Sequence, residues 1–104
     1  MDEKVVQDVQ WTDKAKSTFD SIINYVGNEW SEKEVRNFIQ RTNDLISAIR
    51  HYPEMCKASR RRNTVRVGLI TNHTQLLYHY KPKKRQIVIL YFWGTQQNPK
   101  KRNY

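Results

Sequence analysis

The residues of this chain that could do chemistry are mostly cations, and they are concentrated in its second half. Residues 57–104 contain twelve Lys or Arg and no Asp or Glu, whereas residues 1–56 contain seven Lys or Arg and ten Asp or Glu. Cations that have no carboxylates among them create a positive field, which favours an anionic partner. Nucleic acid and an acidic protein segment are the two candidate partners, and a solubilising surface without a partner is the alternative.

Most of these cations stand in three clusters that could contact phosphates. An arginine guanidinium matches phosphate oxygens with paired hydrogen bonds, and a lysine ammonium offers a point charge. The alternative for each cluster is a solvated loop or tail. We predict nucleic-acid contacts from Arg60, Arg61 and Arg62, from Lys81, Lys83, Lys84 and Arg85 at the opposite end of a hairpin, and from Lys100 and Lys101 in a basic tail that starts at about residue 95.

Metal and cofactor chemistry find no support in the sequence. One cysteine, Cys56, and three scattered histidines match no zinc spacing, and a half-chain without Asp or Glu cannot build a carboxylate metal site. The three glycines form no loop that could cradle a phosphate. We therefore expect no metal and no cofactor, and we interpret Cys56 as a buried or inert thiol.

Length and hydropathy predict a single cytoplasmic domain over residues 1–104. No stretch approaches the ~20 apolar residues that a membrane-spanning helix needs, so no membrane partner is expected. The first residues, with Asp2, Glu3 and Asp8, are not typical of a secretory signal. One cysteine cannot form an internal disulfide, which fits a reducing compartment.

Two helices are predicted in the first half, after a strand over Val5–Trp11. Thr12 is a good N-cap for a helix at about 13–26, which Gly27 would end. Ser31 begins a capping box for a second helix at about 32–51, which Pro53 ends. The short link between the helices predicts an antiparallel pair.

Three strands are predicted in the second half, at Thr64–Thr71, Thr74–Tyr80 and Arg85–Trp93. Asn72 and His73 form a two-residue turn, and residues 81–84 form the next loop. These turns place residue 69 opposite 76, 67 opposite 78, 65 opposite 80, 78 opposite 87 and 76 opposite 89. The resulting apolar face, which the helices would cover, contains Val65, Val67, Leu69, Leu76, Tyr78, Tyr80, Ile87 and Ile89.

The other face of the sheet is predicted to be uncovered and to bring two reactive side chains together. In this register Arg66 faces His79, Gly68 faces Leu77 and Ile70 faces Gln75, with Val88, Leu90 and Phe92 as the floor. An imidazole gains and loses a proton near neutral pH, so His79 suits a general acid or base. The alternatives are an arginine in water and a histidine that merely packs. His51 and His73 carry little functional weight. Trp11, Trp30 and Trp93 are predicted to be packing residues rather than platforms for base stacking.

These elements predict an α+β fold with the order β-α-α-β-β-β. An antiparallel helical hairpin would lie on one face of a mostly antiparallel four-stranded sheet.

The chain resembles the RelE/ParE superfamily of bacterial type II toxins. The resemblance rests on the element order, on Val9-x-Trp11-Thr12, on Ile49-x-x-x-Pro53 and on Leu77-x-His79-Tyr80. The segment from Trp93 to Lys101 is similar to the tail of the plasmid stabilisation branch. The resemblance implies a toxin that a cognate antitoxin neutralises by wrapping its basic surface.

Two activities occur within this superfamily. The RelE branch cleaves mRNA on the ribosome without a metal, and the ParE branch inhibits DNA gyrase without being an enzyme. For mRNA cleavage, the first expectation here, the resemblance implies that Arg66 binds phosphate or stabilises transition-state charge. His79, opposite Arg66 in the predicted register, is the candidate general acid or base. The gyrase inhibitor and a catalytically degenerate nucleic-acid-binding member are the alternatives.

The chain departs from the ribonuclease pattern at three positions. Gly68 and Gln75 stand where ribonuclease members often carry charged residues, and Gln96 stands where many relatives have an arginine. Fewer cations mean less stabilisation of charge on phosphorus, so these departures favour the gyrase-directed alternative and also a catalytically degenerate toxin.

Overall fold

One sheet with two helices on one face forms the part of the chain that the computed structural model describes, residues 6–62 and 64–94. These residues contain seven main elements and a short 3-10 turn at Pro82–Lys84. The α+β class and the predicted element order are confirmed, with one additional short strand. The elements are β1 (Asp8–Trp11), α1 (Asp13–Glu29), α2 (Glu32–His51), β2 (Lys57–Ala58), β3 (Val65–Thr71), β4 (Thr74–Lys81) and β5 (Gln86–Gly94).

The sheet has the strand order β1-β5-β4-β3-β2. β1 runs parallel to β5, and the other pairs are antiparallel. β5 is an interior strand with a neighbour on each side, as its apolar residues on both faces predicted. β2 was not predicted. β2 is two residues long and therefore carries no alternating pattern that a sequence could reveal.

The helices begin at the predicted caps. The Thr12 hydroxyl accepts a hydrogen bond from the Ala15 amide (2.9 Å), and the Ser31 hydroxyl accepts one from the Glu34 amide (3.3 Å). α2 has the predicted bounds, but α1 continues to Glu29 because Gly27 does not adopt the left-handed conformation that ends helices.

The β3–β4 turn is as predicted, but the pairing that follows it is not. Thr71 pairs with Thr74 across the two-residue turn, and a β-bulge at Ile70 then places Leu69 opposite Gln75. The bulge inserts one residue into β3, so every pair beyond it differs by one position from the predicted register. The side chains of β3 before the bulge therefore point to the face opposite the one predicted.

The β4–β5 connection has the predicted length but begins one residue later. Residues 82–85 form it, and Arg85 adopts a left-handed conformation with φ of 51°. Tyr80 consequently pairs with Ile87 and Tyr78 with Ile89, a shift of two residues that leaves both isoleucines on the predicted face. A further bulge in β5 turns Phe92 into the core, where only 2% of its surface is exposed, although the sequence predicted it on the open face.

The hydrophobic core lies between the helices and one face of β3, β4 and β5. Its centre is fully buried and contains Ala15, Ile49, Leu76, Tyr78, Ile87 and Ile89. Trp11 packs against Phe19 and Phe92 at ring-centroid distances of 5.4 and 5.2 Å. Trp11 thus packs as predicted, whereas Trp30 and Trp93 are 64% and 46% exposed, so the packing prediction for these two is not tested by burial.

Beyond the end of β1, side chains at the start of α1 form hydrogen bonds with the backbone edge of β5. The Thr12 hydroxyl donates to the Leu90 carbonyl (2.7 Å), and the Thr18 hydroxyl accepts from the Phe92 amide (2.9 Å). These two side chains satisfy backbone groups of β5 that β1 is too short to reach.

Candidate functional site: the open face and the basic end

The face of the sheet opposite the helices is not covered by any described helix and is mainly apolar and aromatic. Leu69 and Trp93 are large exposed side chains here, 62% and 46% exposed, and they flank Gln75 on the middle strand. The ammonium group of Lys14 lies 4.5 Å from the centre of the Tyr91 ring at one edge. We call this surface the open face; from the strand register it contains Lys57, Val65, Val67, Leu69, Gln75, Leu77, His79, Val88, Tyr91 and Trp93.

Arg66 does not lie on the open face, so its predicted orientation is wrong. The bulge at Ile70 places Arg66 opposite the fully buried Tyr78, on the helix side of the sheet. Its guanidinium Nη1 donates to the carbonyl oxygens of Cys56 (2.6 Å) and Glu54 (3.3 Å). Arg66 therefore holds the connection between α2 and β2 against the sheet.

Tyr78 holds the same connection from the next strand. Its hydroxyl donates to the Pro53 carbonyl at 2.7 Å. Burial raises the pKa of this hydroxyl well above its ordinary value of 10.0, and the Cys56 thiol raises it further, whereas the Cys56 backbone and the charge of Arg66 lower it by less. The hydroxyl is therefore a permanent donor at physiological pH rather than an acid or base.

Gly68 has a packing role in this arrangement. A Cβ atom at Gly68 would lie 3.1 Å from both the Cys56 sulfur and the Leu45 Cδ2 atom of α2. A side chain at this position would push α2 and the α2–β2 connection away from β3. Cys56 itself is half-buried, and its inertness stays a prediction.

His79 lies on the open face, as predicted, but without Arg66 beside it. Its cross-strand neighbours are Val65 on β3 and Val88 on β5. The two side chains that the sequence predicted to face each other are thus on opposite faces of the sheet. Their roles in RNA cleavage stay predictions, and the face-to-face pair on which those roles depended is absent.

Two predicted basic clusters lie at one end of the sheet, which we call the basic end. Arg60, Arg61 and Arg62 lie in the exposed connection that enters β3, while Lys83, Lys84 and Arg85 lie in the exposed turn that leaves β4. The expectation that they occupy opposite ends of the hairpin is wrong, because the start of β3 pairs with the end of β4. Lys81 adjoins the turn, and Lys100 and Lys101 lie outside the described residues.

Among the described residues, no group of three or more His, Cys, Asp or Glu could hold a metal ion. None of the described helices is both long and apolar enough to span a membrane.

The sequence of the chain matches a known family over most of its length. The family is described as the ParE toxin of the type II toxin–antitoxin system parDE, and it matches residues 9–99. The chain belongs to the ParE toxin family. It is accordingly a type II toxin, and the superfamily suggested by the sequence is confirmed, whereas assignment to the plasmid stabilisation branch stays a prediction. A comparison with curated protein sequences gave no match.

Solved structures of related toxins share the fold of this ParE-family chain. The chromosomal ParDE system of P. aeruginosa is similar with a TM-score of 0.69 and 15% identity, over 86% of this chain and 96% of that chain. The RelBE2 toxin–antitoxin complex of Mycobacterium tuberculosis is similar with a TM-score of 0.59 and 17% identity, over 90% and 97%. A YoeB/ParE toxin from Agrobacterium tumefaciens is similar with a TM-score of 0.63 and 11% identity, over 84% and 96%.

Sequence reasoning missed two clefts of this ParE-family toxin. A cavity of about 480 Å³ lies between the helices and the β3–β4 turn, with Trp30, Phe38, Leu69 and His73 in its wall. A smaller cleft of about 360 Å³ lies at the basic end, between the C-terminus of α2 and the end of β4. Each cleft joins segments that are distant in sequence, such as residues 51–55 with Tyr80 and Pro82 in the smaller one, so no single local motif marks them.

Proposed function

We propose that this toxin inhibits DNA gyrase without chemistry of its own, by binding the enzyme through the open face. The observation that carries the proposal is the character of that face, where Leu69 and Trp93 are exposed and Tyr91 and Leu77 lie between them and His79. Contiguous exposed apolar and aromatic side chains are typical of protein-binding surfaces, where aromatic anchors contribute most of the affinity.

The position of Arg66 favours this proposal over mRNA cleavage. Metal-free cleavage of RNA needs a cation where charge develops on the phosphate and a group that transfers protons. Arg66 instead donates to Cys56 and Glu54 on the other side of the sheet. His79 faces valines on both neighbouring strands, which offer neither charge nor hydrogen bonds.

We also propose that the toxin acts in the cytoplasm and is neutralised by a cognate antitoxin. The family description and the M. tuberculosis RelBE2 complex support such a partner. Co-expression of the product of the neighbouring reading frame should restore growth to cells that produce the toxin; unchanged growth arrest with a stable, co-purifying product would contradict neutralisation.

The target can be tested with two assays on the same purified protein. In a supercoiling assay with gyrase and relaxed plasmid, the toxin should prevent supercoiling. In a cell-free translation reaction, mapped mRNA ends should stay those of the untreated control. Cleaved mRNA together with normal supercoiling would contradict gyrase inhibition and would show that the toxin is a ribonuclease.

The role of the open face can be tested with a matched pair of variants. Leu69→Asp places a charge on an exposed position of the open face, and Ile39→Asp places the same charge on an exposed position of α2. We expect Leu69→Asp to weaken gyrase inhibition about tenfold or more, as for a residue near the centre of an interface, and Ile39→Asp to leave it unchanged. Equal inhibition by wild-type protein and a folded Leu69→Asp variant would exclude the open face as the contact surface.

A further inference from the structure

The cleft at the basic end combines aromatic walls with neighbouring cations. Tyr52 at the end of α2 is 57% exposed, and Tyr80 near the end of β4 lines the cleft with it. The remaining apolar wall is formed by Met55, Pro53 and Pro82. The cleft volume of about 360 Å³ is within the range of small-ligand pockets, ~300–1,000 Å³.

The cations begin at the margin of this cleft. Pro82 is both a wall residue and the first residue of the 3-10 turn, so the exposed Lys83 and Lys84 follow directly from the cleft. Arg60 and its two neighbours lie at the same end of the sheet, in the connection that enters β3. A ligand seated between the tyrosines would therefore have cations on the side of the β4–β5 turn.

We propose that the basic end binds single-stranded nucleic acid, with one base between Tyr52 and Tyr80 and the flanking phosphates on the 3-10 turn. Aromatic side chains beside a basic track are the general means of binding single strands, because every base has a flat face that can stack. A base paired within a duplex cannot enter the cleft. The inference is independent of the target proposed for the open face, which lies on the other side of the sheet.

The cleft also contains one acidic residue, Glu54, which would influence where the phosphates lie. Glu54 lies in its wall and is exposed, and its carboxylate would repel a phosphate. This repulsion directs the phosphates toward the lysines of the turn. The carboxylate, which only accepts hydrogen bonds, could meanwhile accept one from the N3–H group of thymine or uracil.

The inference can be tested by fluorescence anisotropy with the full-length protein and labelled oligothymidylate or oligouridylate. Tyr52→Ala should weaken binding about tenfold, whereas Tyr52→Phe, which keeps the ring, should bind like wild type. Tighter binding of oligothymidylate would identify single-stranded DNA as the ligand, and tighter binding of oligouridylate would identify RNA. Both results support the inference. A labelled duplex should bind more weakly than either and should be insensitive to Tyr52→Ala.

The salt dependence of binding tests the phosphate contacts separately. Lys83→Ala/Lys84→Ala should lower the slope of log Kd against log salt by about 1.4, since each phosphate contact to a single strand contributes about 0.7. The matched control is Lys16→Ala/Lys33→Ala, which removes the same charge from exposed positions of α1 and α2 and should change the slope much less.

Three results would overturn the inference. The first is absence of binding to single strands at low salt. The second is unchanged binding by a Tyr52→Ala variant that circular dichroism shows to be folded. The third is equal competition by polyglutamate, which would indicate an acidic protein as the partner of the basic end.

Discussion

Replacement of Thr18 by valine tests how α1 is attached to the sheet. The Thr18 hydroxyl accepts a hydrogen bond from the Phe92 amide at 2.9 Å and donates to the Lys14 carbonyl at 2.7 Å. Valine has nearly the same shape and a similar helix propensity. Thr18→Val therefore removes both hydrogen bonds while preserving the packing; only the Phe92 amide is then left without an acceptor, because the Lys14 carbonyl lies in the helix.

The expected loss of stability follows from the position of the Phe92 amide. Phe92 is 2% exposed and lies beyond the part of β5 that β1 pairs with, so its N–H group would lose its acceptor in a buried place. An unsatisfied buried donor costs about 1–3 kcal/mol. For a domain of this size, a loss of about 2 kcal/mol lowers the Tm by about 8–16 °C.

Urea unfolding followed by circular dichroism would measure the free energy, and hydrogen exchange of the Phe92 amide would locate the effect. Thr18→Ser keeps the hydroxyl and loses one methyl group, so it should cost less than about 0.8 kcal/mol. The reasoning is refuted if Thr18→Val stays within about 0.5 kcal/mol of wild type, or if Thr18→Ser is equally destabilising.

Three further predictions concern the helix side of the sheet. Arg66→Met should lower the free energy of unfolding by about 1–2 kcal/mol because it removes two hydrogen bonds to carbonyls; unchanged stability in urea, with loss of an mRNA-cleaving activity, would instead indicate a catalytic arginine. Because the pKa of Tyr78 is raised in the folded state, its contribution to stability is complete below pH 10, the unfolded value, and falls as the pH rises above it. Tyr78→Phe should therefore be less stable than wild type at pH 7 but lose less stability between pH 9 and about 11, and parallel pH profiles of the two proteins would contradict this. Gly68→Val should lower the free energy of unfolding by about 1–3 kcal/mol through overpacking against Cys56 and Leu45. Thermal melting measures this, and a Tm equal to that of wild type would show that α2 can shift to accommodate the side chain without loss of stability.

Residues near one another in sequence were predicted well. The caps at Thr12 and Ser31 and the end of α2 before Pro53 depend on interactions within a few residues, and the structure confirms them. The turn at Asn72 and His73 is confirmed for the same reason. The predicted pairing of β3 with β4 was wrong beyond the bulge at Ile70, because the extra residue of a bulge leaves no local pattern in the sequence.

The candidate site was predicted less well because it depends on which face each strand residue occupies. One bulge at Ile70 moved Arg66 from the predicted open face to the carbonyls of the α2–β2 connection. His79 stayed on the open face because the shift of β4 relative to β5 was by two residues. Side chains alternate along a strand, so an odd shift reverses their faces and an even one preserves them.

The sequence by itself determined the two helices, the order of the elements, the central place of β5 and the accumulation of positive charge in the second half, because each depends on local periodicity or composition. The tertiary structure alone decided the register of β3, the burial of Phe92, the meeting of two basic clusters at one end and the cleft between Tyr52 and Tyr80. These features join residues far apart in the chain, and their free energies come from packing and hydrogen bonds that exist only after the strands have paired.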